Sequence, residues 1–481
     1  MKMNLKLQSD YYNNLDSFFY QKILPNKFEN GELIFLNYEL ALKLGIDPNF
    51  LKENYKIFLG DLDNLKDINP IAMAYSGHQF GHYTRLGDGR AILLGEYKDA
   101  FGVLWDIQLK GAGKTKYSRR GDGLCTFSST IREYIISESM HYLGIDTTRP
   151  LAILKTGHPV YRYGAQAGGL LVRVSKSHIR FGTFEYAYEA GGDDRVKQLA
   201  DYAIERYFPE FKDKRAKYFL FLEKIVDTQA QLIAKWMSKG FIHGVMNTDN
   251  MNISGETIDY GPCAFMDYYN PDTVFSSIDY FGRYRYRNQP NIGRWNLSLF
   301  VQIFKNLVGE SFHQRSALVA LYESFMPLYE KYYLKEMLKK IGINKIREGD
   351  KELIDMLLKL LEKYRTDYTN FFYELTLGIR EEKIFQTKEF LEFESLWMAR
   401  IKKIGLNAIN SRMRNNNPKI IPRNHLVERA IKEAEEGNFN FVKEFLEYLK
   451  APYEYEEYLP KEFKEPMPYE DLVSYKTYCG T

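Results

Sequence analysis

The chain has 481 residues, of which 45% are hydrophobic and 27% charged, as is typical of a globular protein with a sizeable core. Its 66 Lys and Arg residues nearly balance 63 Asp and Glu residues, which leaves a net charge of +3. This composition excludes general disorder and a dedicated nucleic-acid coat, so we expect no nucleic-acid partner.

The three cysteines, Cys125, Cys263 and Cys479, are odd in number and widely spaced. They argue against a secreted disulfide scaffold and against a zinc site built only of cysteines. The N-terminus has no apolar leader, and no run of about 18 apolar residues is found. We therefore expect a soluble cytoplasmic protein that has no membrane partner and acts as a monomer.

Short apolar and alternating segments in the first half predict strands around one helix. The strand patterns lie at 91–96, 103–110 and 169–175. In the second of these, Asp106, Gln108 and Lys110 share the polar face. Residues 131–143 carry apolar side chains at helical spacing, and Gly144 ends that helix.

Helical spacing dominates the second half. The predicted elements are a long helix at 218–236, a hairpin at 250–260 and helices from about 297 to 449. The composition changes near the run Gly191-Gly192-Asp193-Asp194. We therefore predict an α+β fold with a β-rich first lobe, a large helical second lobe and a cleft between them.

Glycine and basic residues cluster between residues 87 and 123. Gly87-Asp88-Gly89-Arg90 and Gly121-Asp122-Gly123 flank a Lys-rich stretch that begins at Lys110. Phosphate binding needs backbone N–H groups that glycine leaves accessible, and it needs cations. The alternative is a set of hairpin turns with solvated charges, but the combination favours phosphate binding.

The stretch that ends in Gly113-Lys114-Thr115 invites comparison with the Walker A motif. Gln108 stands where that motif begins with glycine, and the loop leads into further turns instead of directly into a helix. We reject a Walker A loop on both grounds.

Lys110 ends a strand, and Glu133 lies in what the pattern predicts as the first turn of the next helix. Protein kinases hold a phosphate-binding lysine with such a helix glutamate. The sequence Thr130-x-x-Glu133 also fits a capping box, which would give Glu133 a purely structural role. Both interpretations stay open at this point.

A second polar cluster lies at the junction of the two halves. Asn250 and Asp259 stand nine residues apart across a glycine turn, as do the metal-binding Asn and Asp of kinase-like enzymes. The position of the usual kinase base is taken by Val245, which accepts no proton, and Asp249 is the nearest carboxylate. An Asx turn that opens a hairpin is the structural alternative for Asp249-Asn250.

These motifs, taken together, resemble the selenoprotein O family, protein-kinase-like pseudokinases that act as protein adenylyltransferases. The matching stretches, in order along the chain, are 69–95, 108–149, 173–182, 243–267 and 413–419, with Arg423-Asn424 following. The resemblance implies a protein-kinase-like two-lobed fold. It also implies transfer of AMP from ATP to Ser, Thr or Tyr hydroxyls of protein substrates, with Mg²⁺ or Mn²⁺ as the metal.

The resemblance also assigns expected roles to residues. Asp249 would accept the proton, Glu133 would hold Lys110, and Asn250 and Asp259 would bind the metal. The nucleotide would be contacted by Gly87, Gly89, Arg90, Lys110, Asp122, Gly123, Arg173, Arg180 and Asp259. Four units are predicted: an extension at 1–60, the nucleotide-binding lobe at 61–190, the helical lobe at 191–450 and a tail at 451–481.

Family members carry a cysteine or selenocysteine near the C-terminus, and Cys479 matches that position. The partner position in some relatives falls near Ser276, which is not a cysteine, and Cys263 lies nearby in sequence. Two alternatives stay open: Cys263 and Cys479 form a redox pair, or both stay reduced thiols. An ordinary phosphotransferase and a catalytically silent nucleotide-binding scaffold are the alternative functions.

Overall fold

A computed structural model of the chain describes residues 5–65, 67–162, 164–309, 312–402, 404–456 and 458–478. The strands are β1 Leu7–Gln8, β2 Tyr20–Lys22, β3 Glu32–Leu36, β4 Ile71–Met73, β5 Ser76–Gln79, β6 His82–Arg85, β7 Ala91–Lys98, β8 Leu104–Lys110, β9 Cys125–Thr126, β10 Arg149–Tyr161, β11 Ala165–Ser175, β12 Phe241–Ile242 and β13 Ala264–Phe265.

The helices are α1 Asp10–Asn14, α2 Tyr38–Leu44, α3 Pro48–Glu53, α4 Phe127–Tyr142, α5 Phe181–Tyr207, α6 Lys217–Ser238, α7 Gln289–Ile303, α8 Lys305–Val308, α9 Phe312–Glu323, α10 Phe325–Lys340, α11 Asp350–Lys363, α12 Tyr368–Leu377, α13 Lys388–Ile401, α14 Leu406–Arg414, α15 Asn424–Glu435, α16 Asn440–Lys450, α17 Lys461–Lys464 and α18 Tyr469–Ser474. The predicted mixed composition, with strands first and helices after, is confirmed. No helix in the described ranges has the length and apolarity to span a bilayer.

The first half forms an antiparallel sheet in which β2, β4, β7, β8, β11, β10 and β3 follow one another, with β1 added on β7 and β9 on β11. Both faces of β8 are buried, so its polar residues Asp106, Gln108 and Lys110 are enclosed by the protein. The helix α4 packs on this sheet against β10 and β11. Charged side chains on a strand face that a helix covers are buried, and buried charges need partners.

The helix at 131–143 begins earlier than its pattern predicts. Thr126 is its N-cap, and the Thr126 side chain accepts a hydrogen bond from the Ser129 backbone N–H. Glu133 is therefore in the second turn, and the alternative interpretation of Thr130 and Glu133 as a capping box is wrong. The first turn was missed because Ser128 and Ser129 interrupt the apolar periodicity on which the prediction rests.

Two other local predictions change in the folded chain. The run at 191–194 lies inside α5, at a kink where Gly192 has a φ of 70°. The predicted hairpin at 250–260 does not form, because Asn252 bridges to Arg180 and Thr257 bridges to Thr147. Its two arms pair with distant segments because tertiary contacts outcompete local pairing there. The division into four units stays a prediction.

Candidate active site

Asp259 is the carboxylate on which three cationic side chains converge. Its Oδ1 accepts hydrogen bonds from Lys110 Nζ at 3.0 Å and from Arg173 Nη1 at 2.8 Å, and its Oδ2 accepts one from Arg180 Nη1 at 2.9 Å. Burial alone would raise the pKa of Asp259, but these positive charges hold it well below its ordinary value. Asp259 is therefore ionised in this site.

The sheet and α4 position two of these cations. Gln108 on β8 lies opposite Arg173 on β11, and Lys110 lies two residues further along the same face of β8. Glu133 reaches both cations, since its Oε2 accepts from Lys110 Nζ at 2.5 Å and its Oε1 from Arg173 Nη1 at 3.2 Å. The Lys110–Glu133 ion pair foreseen from the sequence is present, and the structure adds Arg173 to it.

Arg180, which precedes α5, connects the sheet to the junction cluster. Its guanidinium lies 4.7 Å from the centre of the Tyr75 ring, and its Nη1 also donates to the backbone oxygen of Asp249 at 2.8 Å. An arginine that faces an aromatic ring and donates in a fixed plane is held in one orientation. Arg180 therefore fixes the backbone of Asp249 relative to Asp259.

Asp249 lies in a short 3₁₀ turn, Thr248–Asn250. It is buried, and among the described residues its Oδ1 has no hydrogen-bond partner. Burial raises the pKa of Asp249 to about 7 against the opposing charge of Arg180. Asn250 donates from Nδ2 to the Val245 oxygen at 2.9 Å, which orients its amide. A carboxyl group with a vacant acceptor and a pKa near neutrality suits proton transfer.

Two glycines make room for Asp249, and the sequence analysis assigned a role to neither of them. A Cβ at Gly77 would lie 2.1 Å from Asp249 Oδ1, and a Cβ at Gly182 would lie 1.9 Å from the Ser76 oxygen. Neither position tolerates a side chain without displacing these atoms. The β5 strand and the start of α5 therefore hold the Asp249 side chain between them.

These groups share a cavity of about 310 Å³ at the junction of sheet and helices. Its walls include Gly89, Arg90, Lys110, Arg173, Arg180, Val245, Asp249, Asn250 and Asp259. Three buried cations, from Lys110, Arg173 and Arg180, face the two carboxylates Asp259 and Glu133. Cations clustered in a cleft are suited to bind a polyanion such as a nucleotide phosphate chain.

Asp88 and Gln108 complete this wall, although the sequence assigned neither of them a role. Asp88 Oδ2 accepts from the Met73 backbone N–H at 3.1 Å and from Gln108 Nε2 at 3.2 Å, while Gln108 Oε1 accepts from Arg173. Burial raises the pKa of Asp88 to about 6, with Arg180 opposing the rise. The alternation in β8 placed Gln108 on the correct face, but only the fold brings it to Asp88.

Arg132 is a further residue that the sequence did not reveal. From α4 it donates through Nε to the Gly261 oxygen at 3.0 Å and through Nη2 to the Cys263 oxygen at 2.6 Å. Its Nη1 pairs with Glu428 at 3.1 Å. Arg132 therefore ties the helix that carries Glu133 to the segment that follows Asp259.

A divalent cation fits the oxygen atoms at one side of the cavity. Asp249, Asn250 and Asp259 offer two carboxylates and one amide, and no described residue forms a hydrogen bond with Asp249 Oδ1. The described ranges contain no group of three or more His, Cys, Asp or Glu side chains arranged to hold a metal. The remaining ligands would be phosphate and water oxygens, as is usual for Mg²⁺.

Over residues 2–450, the chain matches the family described as protein adenylyltransferase SelO. The chain belongs to the SelO family. It is 48% identical to the protein nucleotidyltransferase YdiU of Clostridium perfringens strain SM101, over all of this chain and 98% of the relative. It is 45% identical to YdiU of Geobacillus kaustophilus strain HTA426, over 98% of each chain, and 45% identical to YdiU of Bacillus cereus strain AH820, over 98% of this chain and 97% of the relative. The resemblance seen in the sequence is confirmed, and this SelO family member is a nucleotidyltransferase.

Not all of the residues predicted from the SelO resemblance meet in the cavity. Asp122 is partly exposed and forms two hydrogen bonds with Arg162, at 2.8 Å and 3.0 Å, and Gly123 packs against the Gly113 backbone. Neither lines the cavity. Gly87, with a φ of 116°, leaves room for the Tyr117 ring, since a Cβ there would lie 2.4 Å from it. The nucleotide-binding roles of these residues stay predictions.

The cysteine prediction also stays open for this SelO family member. Cys263 is buried, and its Sγ lies 3.5 Å from the Tyr260 oxygen. Cys479 lies outside the described residues, so its pairing with Cys263 is untested.

Proposed function

We propose that this nucleotidyltransferase binds ATP with Mg²⁺ or Mn²⁺ in the cavity and transfers AMP to Ser, Thr or Tyr hydroxyls of proteins. The observation that supports this most directly is the convergence of Lys110, Arg173 and Arg180 on Asp259, beside the unpartnered carboxyl oxygen of Asp249. The three cations would bind the phosphate chain, and Glu133 would keep Lys110 and Arg173 in place.

The proposed chemistry is a displacement at the α-phosphorus. The acceptor oxygen forms a bond to the α-phosphorus. The bond between the α-phosphorus and the oxygen that bridges it to the β-phosphorus breaks, and pyrophosphate leaves. Asp249 takes the proton of the acceptor hydroxyl and passes it to water, a role suited to a carboxyl group with a pKa of about 7. Lys110, Arg173 and Arg180 stabilise the negative charge that develops on the phosphate oxygens.

The metal would be held by Asn250 and Asp259, with Asp249 adjacent. When bound, it would neutralise phosphate charge and polarise the phosphorus. Asp259 forms ion pairs with all three cations, so bound phosphates would compete with its carboxylate for them. We further propose that the sheet and the helices after it form the two lobes of a protein-kinase-like fold. The cavity at their junction and the Lys110–Glu133 pair support that assignment.

The test is to incubate the purified full-length chain with divalent salt and ATP labelled at either the α- or the γ-phosphate. We expect α-label, and no γ-label, to become attached to protein. Transfer of the γ-label would support a phosphotransferase instead. The absence of both, in protein that binds ATP by calorimetry, would support a silent scaffold.

A further inference from the structure

A second cavity, of about 680 Å³, adjoins the candidate active site. Phe80 and Ile278 line both cavities. We call the second cavity the arginine groove; its walls include Phe80, Ile278, Tyr280, Phe281, Arg283 and Arg285. Because the two spaces share walls, a molecule in the groove would lie beside the proposed acceptor position.

The groove is attached to the loop that carries Asp249. Tyr284 donates from its hydroxyl group to Asn247 Oδ1 at 2.6 Å, and Asn247 stands two residues before Asp249. Phe80, at the tip of the β5–β6 hairpin, donates from its backbone N–H to the same Asn247 atom at 3.1 Å. Phe80 and the segment around Tyr284, which carries Arg283 and Arg285, are therefore both connected to the loop of Asp249.

Tyr280 and Phe281 project from the groove with unusual exposure. Their side chains are 85% and 91% exposed, and Ile278 beside them is 48% exposed. Large aromatic residues clustered on a surface are typical of protein–protein contact sites. Two adjacent aromatics beside an active site therefore indicate a surface for a macromolecular substrate.

The charges in the groove identify the chemistry of that substrate. Asp272 forms ion pairs with Arg285 at 3.1 Å and with Arg287 at 2.8 Å. Arg283 has no ion pair with any residue in the described ranges, and its Nε and Nη2 atoms are buried without a hydrogen-bond partner there. Its guanidinium faces the Trp295 ring at 4.6 Å. A cation that lines a groove and has no acidic partner among the described residues favours an anionic ligand.

We propose that the arginine groove binds protein substrates through an acidic stretch near the acceptor hydroxyl. A carboxylate of that stretch would pair with Arg283, while apolar parts of the chain would pack on Tyr280 and Phe281. This inference rests on the proposed function for the identity of the reaction, but the binding step can be measured separately.

The probes are fluorescein-labelled random copolymers of Glu and Tyr and of Lys and Tyr, mixed with the full-length chain without nucleotide. We expect the Glu copolymer to raise the fluorescence anisotropy at lower protein concentration than the Lys copolymer, and the difference to shrink as salt rises. Phe281→Ala and Arg283→Gln should each weaken binding of the Glu copolymer by about tenfold. The control Arg294→Gln changes an exposed arginine outside the groove and should bind as the parent chain does.

Phe281→Ala keeps the test decisive if Arg283→Gln disturbs folding, because the Phe281 side chain is almost fully exposed. Equal binding of both copolymers, or unchanged binding by Phe281→Ala, would overturn the proposal. AMP transfer from α-labelled ATP to the Glu copolymer is the second readout. Selective binding with no α-label on the copolymer or on any protein would reject the proposed function and leave the acidic-substrate groove standing.

Discussion

Arg180 donates a hydrogen bond to the backbone of Asp249 and forms an ion pair with the side chain of Asp259. Its Nη1 donates to the Asp249 carbonyl oxygen at 2.8 Å and to Asp259 Oδ2 at 2.9 Å. The two neighbouring carboxylates differ in pKa: burial raises the pKa of Asp249 to about 7, whereas Lys110, Arg173 and Arg180 hold the pKa of Asp259 well below its ordinary value. Such a difference separates a charge-binding group from a proton acceptor.

Asp249→Asn should abolish AMP transfer and stabilise the nucleotide-free chain at pH 8. The folded pKa of Asp249 is above its unfolded value, so this group contributes stability at low pH that is lost as pH rises through about 7. Removing the charge should raise the free energy of unfolding by on the order of 2 kcal/mol at pH 8. The gain should shrink towards pH 5.

Urea unfolding of both chains at the two pH values, with a chelator present, measures this difference. An Asp249→Asn chain that is less stable than the parent at pH 8 would contradict the role of burial at this carboxyl group.

Gly77→Ala should impair transfer because the new methyl group would meet Asp249 Oδ1 at 2.1 Å. We expect kcat to fall by at least about tenfold, since small misplacements of reacting groups are costly, while ATP binding changes less. Gly405→Ala is the matched control, because nothing lies within 4 Å of its added Cβ. Equal kcat values for the two variants would show that Asp249 adjusts freely. Steady-state kinetics with α-labelled ATP supplies the comparison.

Lys110→Ala should reduce transfer by roughly a hundredfold or more, because it removes a cation from the cavity and leaves Glu133 without its closest partner. Lys114→Ala is the matched control: Lys114 is exposed and is the lysine that a Walker A loop would use. We expect near-normal kcat for this control. A larger loss of kcat in Lys114→Ala than in Lys110→Ala would support the Walker A interpretation instead.

Asp259→Asn should eliminate metal-dependent transfer and increase metal-free binding of inorganic tripolyphosphate. The Asp259 carboxylate would no longer neutralise the three cations, so tripolyphosphate would not have to compete with it for them. Calorimetry in chelating buffer should show tighter binding than in the parent chain. Weaker binding would show that Asp259 orders the cations more than it competes for them.

Arg132→Gln should destabilise the chain by about 2 kcal/mol, because the Gly261 and Cys263 oxygens lose buried donors. Glu428→Gln should cost less than about 1 kcal/mol, since the Glu428 side chain is 50% exposed and its ion pair with Arg132 lies near the surface. Chemical unfolding of both variants tests the contrast. Similar losses would indicate that the ion pair, and not the two carbonyl contacts, stabilises this junction.

Local periodicity predicted the parts of the site that lie on one element. The alternation in β8 correctly placed Gln108 and Lys110 on one strand face, and the order of strands and helices along the chain was correct. The start of α4 and the hairpin at 250–260 were wrong, because Thr126 caps the helix and the hairpin arms pair with Arg180 and Thr147. Those pairings join segments that are distant in sequence, so they leave no local pattern in the amino-acid sequence.

The sequence by itself identified the family, and it predicted phosphate binding in the first half and the candidate acid and amide groups near Asp249. Only the tertiary structure decided that cations from β8, β11 and the start of α5 meet at Asp259, that Gly77 makes room for Asp249 and that Arg283, which has no ion pair in the described part of the chain, lines the adjoining groove. Side-chain periodicity reports which face of an element is buried. The partner across the interface depends on packing between segments that are distant in sequence, and packing also fixes the pKa of each buried charge.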